Sequence, residues 1–278
     1  MPISYRNGEF TSEEVTLSLR DAGHMQGVVA VERLRTYGGR LFRVDDHFAR
    51  LRRSVDGLGF SATGKVERLQ DSLPELCDRN REWIDRHHEF GMQVVVTPGI
   101  MDAKAATAIA TVQPLDLERF DRLASQGEQL VVTSVRQPDP DVVPRHVKSR
   151  SRVHYFRANQ VAQAQAGSFA QGVLVDQDGS ITETASANIL VVQNGVIVSP
   201  PRDRILPGVT LGVVWELCEQ LGIRCVEKSV TPDAFRNADE ILLTGTGPGI
   251  WYGNGLRGPI FERLSKAFRK MTETAALK

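Results

Sequence analysis

The chain carries no excess of charge: 34 Lys and Arg are matched by 34 Asp and Glu, so no general pull toward nucleic acid or an anionic membrane is written into it. Cysteine is scarce. Cys77, Cys218 and Cys225 lack the close spacing of a metal site or a disulfide framework, so they read as buried reduced thiols and no metal is expected. No apolar run approaches the ~18 residues of a membrane span, and no charged and then apolar leader follows Met1. Internal repeats and low-complexity segments are absent as well. What remains is a cytoplasmic globular protein with neither nucleic acid nor membrane as partner. Its 278 residues, 41% of them hydrophobic, suffice for about two domains with real cores.

The first half reads as α+β. Ile3 to Asn7, a Gly8-Glu9 turn and a short strand around Phe10 form a hairpin, and the β-rich 28–37 segment runs through Gly38-Gly39 into Leu41-Phe42-Arg43-Val44. Asp45 or Asp46 then caps a helix with Phe48, Leu51, Val55 and Leu58 as its apolar stripe. A longer helical region interrupted by Pro74 follows, then strands over 92–97 and 106–112. The polar stretch with Pro114, Asp116 and Gly127 is the natural interdomain connection. The expected division is therefore 1–118, a connection at 119–128, and 129–278. In the second half, hairpins turn at Gln177-Asp178-Gly179 and Gln193-Asn194-Gly195. A helix opens at Pro207-Gly208-Val209-Thr210 and stops at Gly222, residues 240–246 form a last strand, and an amphipathic helix runs from about Pro259.

Lys148 lies in a basic run, 144–157, with Arg145, Arg150, Arg152, Arg157, His146 and His154 around it. That setting disfavours a protonated lysine and suits a neutral amine acting on a carbonyl; the same run also suits a solvated basic face. Three further features converge with it. The helix start at Gly208-Val209-Thr210 offers N–H groups and a hydroxyl to a phosphate, as does the turn Thr244-Gly245-Thr246-Gly247 at the end of a strand. Glu183, among Thr182, Thr184, Ser186 and Asn188, is either a surface carboxylate or the anion opposite a ring nitrogen. An amine, a carboxylate and a phosphate site are what pyridoxal 5′-phosphate needs from a protein.

With Tyr5-Arg6-Asn7-Gly8-Glu9, Glu32 to Tyr37, Gly39-Arg40-Leu41-Phe42, His47-Phe48-Ala49-Arg50-Leu51, Lys148-Ser149, Thr182-Glu183, Ile205 to Thr210 and Thr244-Gly245-Thr246 in that order, the chain resembles the fold-type IV pyridoxal-phosphate enzymes, or class IV aminotransferases. The resemblance implies a small N-terminal α/β domain, a larger C-terminal domain with a β-barrel-like core, a site between them and a homodimer. It implies Lys148 as the Schiff-base lysine, Glu183 at the pyridine nitrogen, and Arg50, Val209, Thr210 and Thr246 at the phosphate, with Ser186 and Asn188 also in the cofactor site. Glu32, Arg35 and Arg136 are the candidates for the substrate end, the two arginines as cations for a carboxylate.

The departures lie at that substrate end. The tyrosine that branched-chain aminotransferases usually place five residues after the lysine is Val153 here, and the arginine that D-amino acid aminotransferases place after Val-Thr is Pro98. Val31 precedes Glu32 in place of an aromatic residue, and Gly247-Pro248-Gly249 replaces a polar run. The expected function is aminotransfer between an amino acid or amine and a keto acid by ping-pong half-reactions. The alternatives are a lyase of the 4-amino-4-deoxychorismate type and a protein that binds the cofactor or another anion without turnover.

Overall fold

The computed structural model describes residues 2–100 and 105–277, with side chains described through 274; Met1 and Lys278, the outer limits of the two expected domains, lie outside the described residues. The chain forms two compact units. The first comprises Met1–Leu115, His146–Ser151 and Thr272–Lys278, the second Asp116–Arg145 and Arg152–Met271. The partition is thus discontinuous, and the short segment bearing Lys148 belongs with the first unit instead of with 129–278. Among the described residues no helix is long and apolar enough to cross a membrane.

In the first unit, β1 (Ser4–Arg6) and β2 (Glu9–Thr11) form a hairpin through Asn7 and Gly8, both at positive φ, one residue earlier than the expected Gly8-Glu9 turn, because Glu9 already pairs with Arg6. After α1 (Ala22–Gln26), β3 (Ala30–Tyr37) turns through Gly38-Gly39 into β4 (Arg40–Leu41). Tyr37 pairs with Arg40, and both glycines are left-handed, the requirement of a two-residue hairpin turn. In α2 (Val44–Gly57) the residue before the first turn is Arg43, so Asp45 and Asp46 sit inside that turn against the positive helix end and do not cap it as expected. Three short helices follow, α3 (Lys65–Asp71), α4 (Leu73–Arg79) and α5 (Arg81–His87), with Pro74 in the first turn of α4, where its missing N–H costs nothing. β5 (Phe90–Thr97) and β6 (Thr107–Pro114) complete an antiparallel sheet of order β2-β1-β6-β5-β3-β4. Leu34, Phe48, Leu51, Leu69, Leu76 and Met92 join this sheet to its helices in one core.

The second unit begins with α6 (Leu117–Gln126), which occupies most of the segment expected to be a connection. Its polar residues are helix punctuation: Asp116 Oδ1 accepts from the Arg119 N–H at 3.0 Å, and Gly127 ends the helix at positive φ. β7 (Leu130–Arg136) and β8 (Gln171–Val175) pair in parallel across α7 (Val153–Ala166). A Cβ on Gly172 would overlap the α7 backbone at Ala158. The turn at Gln177-Asp178-Gly179 is held by Asp176 N–H to Ser180 O, 2.7 Å, but residues 180–183 make isolated bridges instead of the expected full strand.

β9 (Asn188–Gln193) and β10 (Val196–Ser199) form the second expected hairpin, followed by α8 (Val209–Leu221), β11 (Cys225–Glu227), α9 (Pro232–Arg236), β12 (Glu240–Gly245), β13 (Gly249–Tyr252) and α10 (Pro259–Leu277). The sheet order is β11-β10-β9-β12-β13. β11 and β13 are edges, so among the described residues the expected barrel-like core is an open sheet. Ile189, Val191, Ile241 and Leu243 face one core. The alternate positions, Asn188, Leu190, Leu242 and Thr244, face the other side, and α8 packs against β12.

Candidate active site

Lys148 sits on a strip that behaves as an extra strand. Val31 N–H donates to Lys148 O (2.9 Å), Arg150 N–H donates to Val29 O (3.1 Å), and Ala30 bridges Ser149. β5 takes one side of β3 and β4 takes the Thr36–Tyr37 end of the other, so the strip covers the part of that edge β4 does not reach. The Lys148 N–H donates to Ser54 Oγ (3.0 Å), whose own hydroxyl donates to Arg50 O (2.9 Å). Gly57 lets the end of α2 approach the strip: a Cβ there would stand 2.6 Å from Val147 Cγ2 and 2.8 Å from His146 Nε2. With N–H and C=O both engaged, Lys148 moves by its side chain alone.

The same face of α2 builds a buried ion cluster. His47, Arg50 and Ser54 recur at i, i+3 and i+7 and are all buried. Arg50 donates to Glu32 through Nε (2.7 Å) and Nη2 (2.9 Å), and His47 Nδ1 lies 2.8 Å from Glu32 Oε2. Burial alone favours a protonated Glu32, but Arg50 and His47 outweigh it and hold the carboxyl well below the usual carboxylate range. Burial depresses His47, against the pull of Glu32, and facing an ionised carboxylate that only accepts, its Nδ1 carries the hydrogen and donates. Glu32, expected at the substrate end, is therefore the anion of an interior pair, with its side chain 0% exposed.

In the second unit Glu183, 4% exposed, is the centre of a donor set. Tyr155 Oη (2.7 Å) and Gln137 Nε2 (3.0 Å) donate to Oε1; Asn188 Nδ2 (3.1 Å) and the Leu206 N–H (3.1 Å) donate to Oε2. Four donors on two oxygens fit an ionised carboxylate, the state in which both oxygens only accept. Burial and the neighbouring Glu183 hold the Tyr155 phenol well above its ordinary range, so it stays protonated and keeps donating. The Arg152 guanidinium lies over the Tyr155 ring at 4.3 Å and also donates to Ala185 O.

The remaining expected residues divide by position. Val209 and Thr210 are the first two residues of α8, which starts after Gly208 with no side-chain cap. A Cβ on Gly208 would overlap Asn188 Oδ1, so the helix start lies against the Asn188 side chain, whose Nδ2 also donates to Leu206 O at 2.8 Å. Thr246 is half-buried just beyond β12, and Ser186 is exposed. Arg35 is tied up locally, its Nε donating to Thr36 O (2.9 Å) and its guanidinium over the Tyr37 ring at 4.1 Å. Arg136 is exposed at the end of β7. Two members of the basic run are drawn inward: Arg145 pairs with Asp176 at 2.8 Å, and burial, with Arg152 and Arg145, pushes His154 down to about 4, while Arg150 and Arg157 are exposed. Sequence reasoning missed Ser54, Gln137 and the role of Tyr155. Only Ser54 left a signal, its helical spacing from His47 and Arg50.

The amino-transferase class IV family matches residues 29–253, a span that holds every side chain described above. The chain belongs to the class IV aminotransferases. As such it is a pyridoxal-phosphate-dependent enzyme. This aminotransferase is 28% identical to the D-alanine aminotransferase of Bacillus licheniformis over 99% of both chains. Its fold is that of the branched-chain aminotransferase of Thermoproteus uzoniensis, solved with norvaline, at TM-score 0.85 and 24% identity, covering 98% of this chain and 94% of that one. It also superposes on a T.th. branched-chain aminotransferase solved with pyridoxamine 5′-phosphate, at TM-score 0.87 and 21% identity with the same coverage.

Proposed function

We propose that this class IV aminotransferase works as a cytoplasmic homodimer and passes an amino group from an amino acid or amine to a keto acid. Its unpaired thiols, Cys77, Cys218 and Cys225, suit a reducing compartment. We assign Lys148, Arg50, Glu183, Ser186, Asn188, Val209, Thr210 and Thr246 to the pyridoxal phosphate. The residues present suit the group: Glu183 is a buried anion of the kind a pyridinium needs opposite it, and α8 presents an uncapped N-terminus beside Gly208, where any side chain would intrude.

When bound, the cofactor supplies an electron sink for negative charge at the substrate Cα. Lys148 provides the amine, which would take the proton from the substrate Cα and deliver it to the cofactor's C4′ within the same half-reaction, the reverse transfer serving the keto acceptor. Glu183 keeps a proton on the ring nitrogen. Tyr155, Gln137, Asn188 and the Leu206 N–H stop the carboxylate from rotating away. Val209 and Thr210, in the first turn of α8, offer N–H groups without intrahelical partners to the phosphate. Glu32 orients the Arg50 guanidinium through Nε and Nη2. Of the two cations named for the substrate carboxylate, Arg35 is spent on Thr36 and Tyr37, which favours the exposed Arg136.

The donor set around Glu183 carries this reading, and absorbance tests it. Wild type with added pyridoxal phosphate should give a visible band that Lys148→Ala lacks and that bleaches with some donor among D-alanine, L-leucine and a simple amine. A band of equal strength in Lys148→Ala would sink the role of Lys148. Release of pyruvate from a chorismate-type substrate without any keto acceptor would favour the lyase instead.

A further inference from the structure

Two of the donors on Glu183 come from loops, and each of those loops is tied by an arginine to one acidic turn. Gln137, just past β7, gives its Nε2 to Oε1, and Leu206, between β10 and α8, gives its N–H to Oε2. Arg145 donates through Nη1 to Pro138 O, beside Gln137, and through Nη2 to Asp176 Oδ1 at 2.8 Å. Arg204, two residues before Leu206, donates through Nη1 to Asp178 Oδ2 and to Ser180 Oγ (3.3 Å), with its Nε 3.9 Å from Asp176 Oδ2. The turn is itself braced. Asp178 Oδ1 accepts from the Ser180 N–H (3.0 Å) and Oγ (2.6 Å), and Gln177 Nε2 donates to Gln137 O at 2.9 Å. Ser180 and Arg204 hold the Asp178 carboxyl well below the usual carboxylate range, so it stays ionised. The chain then runs from Ser180 directly on to Glu183. A closed ring results: the turn holds both loops, and the loops hold the two oxygens of the carboxylate that follows the turn.

We infer that Asp176 and Asp178 are positioning residues for Glu183: through Arg145 and Arg204 they fix the two loops that place one donor on each of its oxygens. Each aspartate acts through an arginine and not on the cofactor itself. The inference rests on the assignment of Glu183 to the ring nitrogen made above. The two arms differ in weight. The Arg145 and Asp176 side chains are 7% and 12% exposed, so solvent screens their pair little. Those of Arg204 and Asp178 are 35% and 51% exposed, which makes theirs the weaker pair.

The test titrates pyridoxal phosphate and its carbocyclic analogue, in which a C–H replaces the ring nitrogen, into wild type, Arg204→Met, Arg204→Lys and Asp176→Asn, by absorbance or fluorescence. Only the ring nitrogen answers to Glu183, so wild type should bind pyridoxal phosphate more tightly than the analogue. That preference should shrink about fivefold in Arg204→Met and further in Asp176→Asn, which releases the Arg145 arm as well. Arg204→Lys should recover part of it, and affinity for the analogue should stay unchanged throughout. Asp176→Asn leaves Arg145 nearly buried without its counter-charge; if that variant does not fold, the two Arg204 variants decide. An Arg204→Met protein that keeps the full preference would show that Leu206 is held without the turn, and the inference falls. Equal weakening of both ligands would mean that the change loosens the second unit at large, and the inference falls as well. A wild type that binds pyridoxal phosphate no more tightly than the analogue would instead overturn the place of Glu183 at the ring nitrogen, and this inference with it.

Discussion

At the residue scale, Glu32 shows how a charge can be interior and still stable. Arg50 and His47 supply what burial removes, so the folded carboxyl is a stronger acid than the unfolded one. The unfolded chain takes up its proton first: the pair's contribution is whole above the ordinary glutamate value of 4.5 and is lost progressively as pH falls below it. Glu32→Gln should remove that acid limb and leave Arg50 buried without a counter-charge, costing about 3–5 kcal/mol in denaturant unfolding at pH 7. A variant as stable as wild type would show that Arg50 finds another anion. Tyr155→Phe probes the other carboxylate. It deletes one hydrogen bond to a charged acceptor, worth about 1.5–3 kcal/mol, so pyridoxal-phosphate affinity should fall at least tenfold while the Lys148-dependent band persists. Unchanged affinity would mean that the other three donors hold Glu183 by themselves.

At the scale of elements, α7 and β8 show what a glycine does for the site. Gly172 lets β8 lie against the α7 backbone at Ala158, and Tyr155 is one turn earlier on the same helix. Gly172→Ala must push α7 off β8, so it should lower both thermal stability and cofactor affinity; a loss of stability alone would mean that Tyr155 keeps its place. Local signals made much of this architecture legible. Gly38-Gly39 marked a hairpin because its turn demands positive φ, and the α8 start and the 240–246 strand followed from periodicity and turn chemistry. What escaped depends on distant pairing. Glu32 meets Arg50 only because α2 packs on β3. Glu183 draws Tyr155 and Gln137 from elements far away in sequence, and the openness of the five-stranded sheet follows from strand order, which composition does not encode. Asp116 and Gly127 looked like linker residues because helix caps and loops use the same chemistry.

For the molecule as a whole, the proposed assignment has one lysine and one carboxylate serve both donor and acceptor. Lys148 has a single clamped backbone position, and Glu183 a single set of holders, so the keto product has to leave before the acceptor can be handled by the same groups. Double-reciprocal plots of rate against donor, at several acceptor concentrations, should then be parallel; intersecting lines would require both substrates bound together and would refute the two-half-reaction scheme. Because acidic and basic residues balance at 34 each, no net field of the whole chain draws in a carboxylate substrate, and recognition falls to individual cations. Arg136→Ala tests the one assigned to that task within the same kinetic experiment. If that exposed arginine holds a substrate carboxylate, KM should rise for amino-acid donors and stay put for simple amines, with the parallel pattern retained; an equal rise for both would place Arg136 outside substrate recognition.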